Sequence, residues 1–70
     1  MKLSARNQFA GTVTEVRKGA TTAHVRIEVA PGVVLTAAIT NEAAEELGLA
    51  VGGRAVAVVK ASDVMVGTEG

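Results

Sequence analysis

Thr22-Ala23-His24-Val25-Arg26-Ile27-Glu28-Val29-Ala30 alternates apolar and polar side chains along its length. In an extended chain successive side chains point to opposite faces, so Val25, Ile27 and Val29 share one face while His24, Arg26 and Glu28 share the other. This predicts a strand with one dry face and one wet face. Upstream, residues 9–18 are rich in β-branched types and read as a second strand, with Gly11 marking a bulge or bend and Gly19-Ala20-Thr21 as the connecting turn. Downstream, Pro31-Gly32 closes the central strand and residues 33–40 open another. That third strand is apolar on both faces, which predicts cover on both, with Leu35, Ala37 and Ile39 pointing inward.

Thr40 or Asn41 then caps a short helix through Leu47, its acidic residues near the start and Gly48 at its end. Val51-Gly52-Gly53 is a turn, residues 54–60 are a strand, and Ala61-Ser62 leads into a last short strand over residues 63–66, after which Thr68-Glu69-Gly70 frays. The expectation is a mainly β domain over residues 1–70. It is an OB-like five-stranded β-barrel with one short helix between the third and fourth main strands, in which closure removes exposed edges.

Composition narrows the function. Seventy residues permit one modest core, and without cysteine neither a disulfide nor a thiolate zinc site can brace it. His24, the single histidine, cannot supply a nitrogen ligand set, so no metal held directly by side chains is expected. The apolar share is 49%, mostly Ala and Val, and such small side chains favour a chain that completes its core against copies of itself. Seven basic residues balance seven acidic ones, so no net field draws the chain to nucleic acid or an anionic membrane. No run approaches the roughly 18 to 20 apolar residues of a membrane span, and Met1-Lys2-Leu3-Ser4 lacks the apolar core of a secretory signal. A soluble, cytoplasmic chain is expected.

The densest set of hydrogen-bond donors is Ser4-Ala5-Arg6-Asn7-Gln8, with a guanidinium fork, a hydroxyl and two amides. Ser4 and Arg6 share a face at period two, as do Lys60 and Ser62 near the other end, each pair being one cation and one hydroxyl. Where two such segments meet, two positive charges and two hydroxyls converge, with the N–H groups of Ala5, Asn7 and Ala61 as further donors. A tetrahedral dianion suits that pocket, because its oxygens only accept. Phosphate is partly protonated at neutral pH and would leave its O–H without an acceptor. Sulfate is separated from larger oxyanions by pocket size alone.

Ser4-Ala5-Arg6-Asn7-Gln8 followed by Gly11-Thr12-Val13 is similar to the opening signature of the molybdate-binding Mop proteins, the molbindins, and Lys60-Ala61-Ser62-Asp63-Val64-Met65 resembles their second. Ile39-Thr40-Asn41 and Glu45-Glu46-Leu47-Gly48-Leu49 also fit, so the resemblance covers essentially the whole chain. It implies molybdate or tungstate as bound ligand, no organic cofactor, and a homo-oligomer, a hexamer built as a trimer of dimers. It further implies hydrogen-bonded sites between subunits, carried by Ser4, Arg6, Lys60 and Ser62 with Ala5, Asn7 and Ala61, and a role in intracellular storage or buffering of the oxyanion. A second kind of site near the symmetry axes is also implied, for which Thr22, His24, Thr40 and Asn41 are candidates.

Plainer readings stand beside these. Arg, Ser and Lys at strand ends can be a solvated arm, His24 a solvent-facing strand residue, and Asn41 with Glu42 a cap and dipole partner. Lys18-Gly19-Ala20-Thr21 lacks the glycine spacing of a phosphate-binding loop and is a hairpin turn. An enzyme is not expected, since there is no cysteine nucleophile and His24 has no partner at triad spacing. The alternatives are a structural self-assembling barrel and an OB-like nucleic-acid-binding module. The latter needs aromatic platforms and a basic groove, against Phe9 alone and zero formal charge here.

Overall fold

The computed structural model describes residues 4–70. β1 (Asn7–Lys18), β2 (Thr22–Ala30) and β3 (Val33–Thr40) form an antiparallel meander, α1 (Asn41–Glu46) follows, and β4 (Arg54–Val59) returns to the free edge of β1. The sheet order is β3-β2-β1-β4. The predicted alternation in β2 is realised. Val25 and Ile27 are buried with Val13 of β1 at the centre of the core, while His24, Arg26 and Glu28 are exposed. Val29 is only half-buried, because the β2–β3 register shifts between Glu28 and Ala30 and turns it partly out of line.

Leu35, Ala37 and Ile39 stand opposite Ile27, Val25 and Ala23, on the inward face as expected. They are half-buried, and Thr36 and Ala38 on the other face are exposed. Among the described residues the expectation of cover on both faces of β3 is therefore met only at Val34, which is half-buried, since β3 is an edge strand. The bulge in β1 also lies elsewhere than expected. Gly11 is in regular register with Ala55, and the shift falls between Val13 and Glu15, at Thr14. Gly11 is required for a different reason. A Cβ there would run into the Glu28 carbonyl and lie 2.8 Å from Ile27 Cγ2, so glycine lets β1 settle onto β2 where the sheet curls.

Thr40 caps α1, its Oγ1 accepting from the Ala43 N–H at 3.0 Å, and the helix closes through Leu47 to Gly48, whose φ of +64° suits glycine. Thr40→Ala removes that acceptor. A loss of about 1 kcal/mol is expected, read as a lower midpoint in a thermal melt, whereas an unchanged midpoint would show the cap to be idle.

The largest departure from the sequence reading is at the C-terminal end. The strand stops at Val59, a 3₁₀ turn occupies Ala61–Asp63, and residues 64–70 have no regular structure, so the described residues form four strands rather than five. A strand needs a ladder partner, and residues 64–66 meet none among the described residues. Val64, Met65 and Val66 are 50%, 94% and 90% exposed. The sheet is accordingly a curled half-barrel, open between edge strands β3 and β4. The opening is an apolar trough of ≈ 580 Å³ lined by residues that include Leu35, Ile39, Leu47, Leu49, Ala57 and Val59. No helix among the described residues is long and apolar enough to cross a membrane.

Candidate oxyanion site

Asn7 opens β1 and Val59 closes β4, and the two are register partners. The Asn7 side chain reinforces the pairing by donating from Nδ2 to the Val59 carbonyl at 3.1 Å. Ser4-Ala5-Arg6 therefore enters the sheet, and Lys60-Ala61-Ser62 leaves it, at the same end and on adjacent strands. Within one chain the two segments thus extend from one shared pair at the end of the ladder. Ser4, Arg6, Lys60, Ala61 and Ser62 are exposed, and Ala5 and Asn7 are half-buried.

Within each segment the period-two face does not survive. The chain bends at Ser4 and again at Arg6, and the Gln8 side chain reaches back to donate from Nε2 to the Ala5 carbonyl at 3.2 Å. On the other segment Lys60 is extended while Ala61–Asp63 form a 3₁₀ turn, so the alternation of a strand does not carry through from Lys60 to Ser62. That turn adds donors in exchange. The Asp63 and Val64 N–H groups bond back to the Lys60 and Ala61 carbonyls at 2.9 and 3.3 Å, and the first N–H groups of such a turn, at Ala61 and Ser62, have no partner inside it. The site is thus richer in main-chain donors than side-chain spacing indicated, although it also includes the Asp63 carboxylate. The only ion pair among the described residues joins Lys18 to Glu45 at 3.1 Å, so neither Arg6 nor Lys60 is neutralised by a bonded carboxylate there.

The second candidate set lies most of a strand length away. Thr22 is the register partner of Thr40, His24 follows two residues on opposite Ala38, and the Asn41 N–H donates to the Thr21 carbonyl at 2.9 Å. Much of this polarity has a structural task. The Thr40 hydroxyl caps α1, and Asn41 Nδ2 holds the β1–β2 turn through the Gly19 carbonyl at 2.9 Å. Asn41 Oδ1 is buried without a partner among the described residues, and as an acceptor it repels an oxyanion rather than binding one. The register shows two cations that sequence spacing left unassigned. Arg17 stands directly across from His24 on β1, and Arg26 follows on the same face of β2.

Neither cavity offers a better anion site. The trough is apolar. A shallower depression of ≈ 420 Å³ beside the Pro31-Gly32 turn is lined by Arg54, whose Nη1 donates to Thr12 Oγ1 at 3.0 Å, and by Glu28, whose carboxylate accepts from the Gly32 N–H at 3.4 Å. No group of three His, Cys, Asp or Glu side chains among the described residues could hold a metal ion.

A curled antiparallel half-barrel with one short helix and a donor cluster at the mouth of its β1–β4 pair defines a small OB-like binding module. In agreement, residues 3–66 match the TOBE domain. The chain belongs to the Mop, or molbindin, family, whose members are binding proteins and not enzymes. It is 45% identical over 69 residues to a probable molybdenum-pterin-binding protein of Haemophilus influenzae, covering 99% of this chain and 100% of that one. Its fold matches MopII from Clostridium pasteurianum in an apo form with a TM-score of 0.89 at 43% identity, covering 96% of this chain and 100% of the other. It also matches the cytoplasmic molybdate-binding protein ModG with molybdate bound, with a TM-score of 0.88 at 45% identity, covering 93% of this chain and 46% of ModG.

Proposed function

We propose that this chain binds molybdate, and tungstate with it, at the Ser4–Asn7 and Lys60–Ser62 cluster, as a cytoplasmic homo-oligomer that stores and buffers the oxyanion. The carrying observation is the Asn7–Val59 register, which brings two cations, two hydroxyls and several main-chain N–H groups to one end of one sheet. All these groups donate, and none forms a covalent bond with the ligand, so binding is reversible, as storage requires. The names of relatives and the molybdate-bound structure of ModG support molybdate as the ligand. The second set, with Thr40 and Asn41 already committed to the fold, adds to the capacity only after the first.

Assembly is supported by what the single chain leaves uncovered. Among the described residues the outer edges of β3 and β4 are unpaired, the trough between them is apolar, and Val64, Met65 and Val66 are exposed. Exposed strand edges and apolar surface of this kind are covered in stable proteins, here by further copies that form a hexamer, a trimer of dimers, with the oxyanion sites at subunit contacts. Native mass spectrometry of the chain titrated with molybdate, with sulfate as control, tests the proposal. A hexamer that gains a defined number of molybdate masses and no sulfate is expected. A monomer that gains neither would overturn it and leave the structural barrel. Met65→Lys together with Val66→Lys is expected to shift the wild-type assembly towards smaller species in the same spectrum, and an unshifted mass would remove the tail from the contacts.

A further inference from the structure

We infer that Gln8 is a positioning residue for the oxyanion site, holding the Ala5–Arg6 peptide with its N–H, and not its carbonyl, turned to the anion. The inference rests on the function proposed above and deepens it. In a trans peptide the carbonyl of one residue and the N–H of the next point in opposite directions. The Ala5 carbonyl accepts from Gln8 Nε2 at 3.2 Å, which fixes the plane of the peptide and presents the Arg6 N–H on its opposite side. The restraint matters here because this peptide lies outside the ladder. β1 begins at Asn7, and the chain bends at both Ser4 and Arg6, so no strand partner prevents a rotation that would turn the Ala5 oxygen towards a dianion. The neighbouring side chain has a complementary task, since Asn7 Nδ2 ties the next residue to the Val59 carbonyl. Asn7 fixes where the segment lies. Gln8 fixes which way its peptide faces. Arg6 then offers its guanidinium and its main-chain N–H to one ligand.

Without Gln8 the competent orientation becomes a fraction of the population, and the apparent dissociation constant rises by the inverse of that fraction. Gln8→Met keeps the length and removes the donor, and Gln8→Glu keeps the shape and removes it. By titration calorimetry each is expected to weaken molybdate binding about 3- to 10-fold, the range of one neutral hydrogen bond. The ligand-free melting temperature and the assembly mass are expected to stay at wild-type values, because Gln8 is exposed. The distinguishing readout is the Arg6 amide resonance in ¹⁵N-labelled protein. In the ligand-free state it lies at a different position in Gln8→Met than in wild type, and saturation with molybdate brings the two proteins to a common position.

Gln8→Met with wild-type affinity, or with weakened affinity and an unmoved Arg6 amide, would overturn the positioning role. Arg6→Ala measured in parallel separates this from the larger claim. If Arg6→Ala loses binding while Gln8→Met does not, the site stands and Gln8 has no part in it. If wild type itself takes up no molybdate, the function and this inference both fall.

Discussion

Arg6→Ala is expected to bind molybdate about 10- to 100-fold more weakly than wild type, the range of one charge-assisted hydrogen bond. Arg6 is exposed and has no bonded carboxylate among the described residues, so its removal leaves no orphaned partner and the ligand-free protein should melt as wild type does. Ligand-induced stabilisation is where the loss appears. At a molybdate concentration of 100 times the wild-type Kd, binding stabilises the folded state by about 2.7 kcal/mol, and a 30-fold weaker site leaves about 0.9 kcal/mol. Lys60→Ala should behave likewise from the second segment, and Ser62→Ala should lose less, because a hydroxyl is a neutral donor. An Arg6→Ala protein that keeps the full thermal shift would exclude Arg6 from the site.

Gly11→Ala should be the most damaging small substitution in the fold. The added Cβ meets the main-chain carbonyl of Glu28 and the Ile27 side chain, one of the three buried members of the core cluster. A carbonyl in a ladder cannot swing aside as a flexible side chain does, so β1 or β2 must shift. A cost of about 3 kcal/mol is expected, against a total of about 4 to 10 kcal/mol for a domain of this length. The melting midpoint should fall by roughly 10 °C or more. Gly67→Ala is the control, since nothing lies within 4 Å of a Cβ there. Equal midpoints for the two variants would show that the curl of the sheet tolerates a side chain at Gly11.

The elements readable from the sequence were those whose evidence is local. Alternation located β2 and its buried face, and Thr40 with Gly48 bracketed α1 to within a residue of Leu47. The donor residues at both ends of the chain were legible for the same reason, since donor capacity belongs to the residue type. Where the reading erred, the deciding contact was remote. Gly11 sits against Glu28, seventeen positions away, and local pattern could report a glycine but not its neighbour. Residues 63–66 carry strand-forming side chains, yet a strand exists only where another offers it a ladder, and none among the described residues does so.

By itself, then, the order of residues determined which faces of the strands are dry, where the helix starts and stops, and which groups can donate to an anion. All of these follow from side-chain type and from periods of two and 3.6 residues. Tertiary structure alone decided that the segments carrying Arg6 and Lys60 leave the sheet side by side at one end. The pairing of Asn7 with Val59 joins positions 52 residues apart, and that choice depends on how β4 pairs along the first half of β1, from Asn7 to Thr12. It also decided how each donor faces, because the bends at Ser4 and Arg6 and the 3₁₀ turn after Lys60 replace a simple alternation with geometry set by hydrogen bonds from Gln8, Asp63 and Val64.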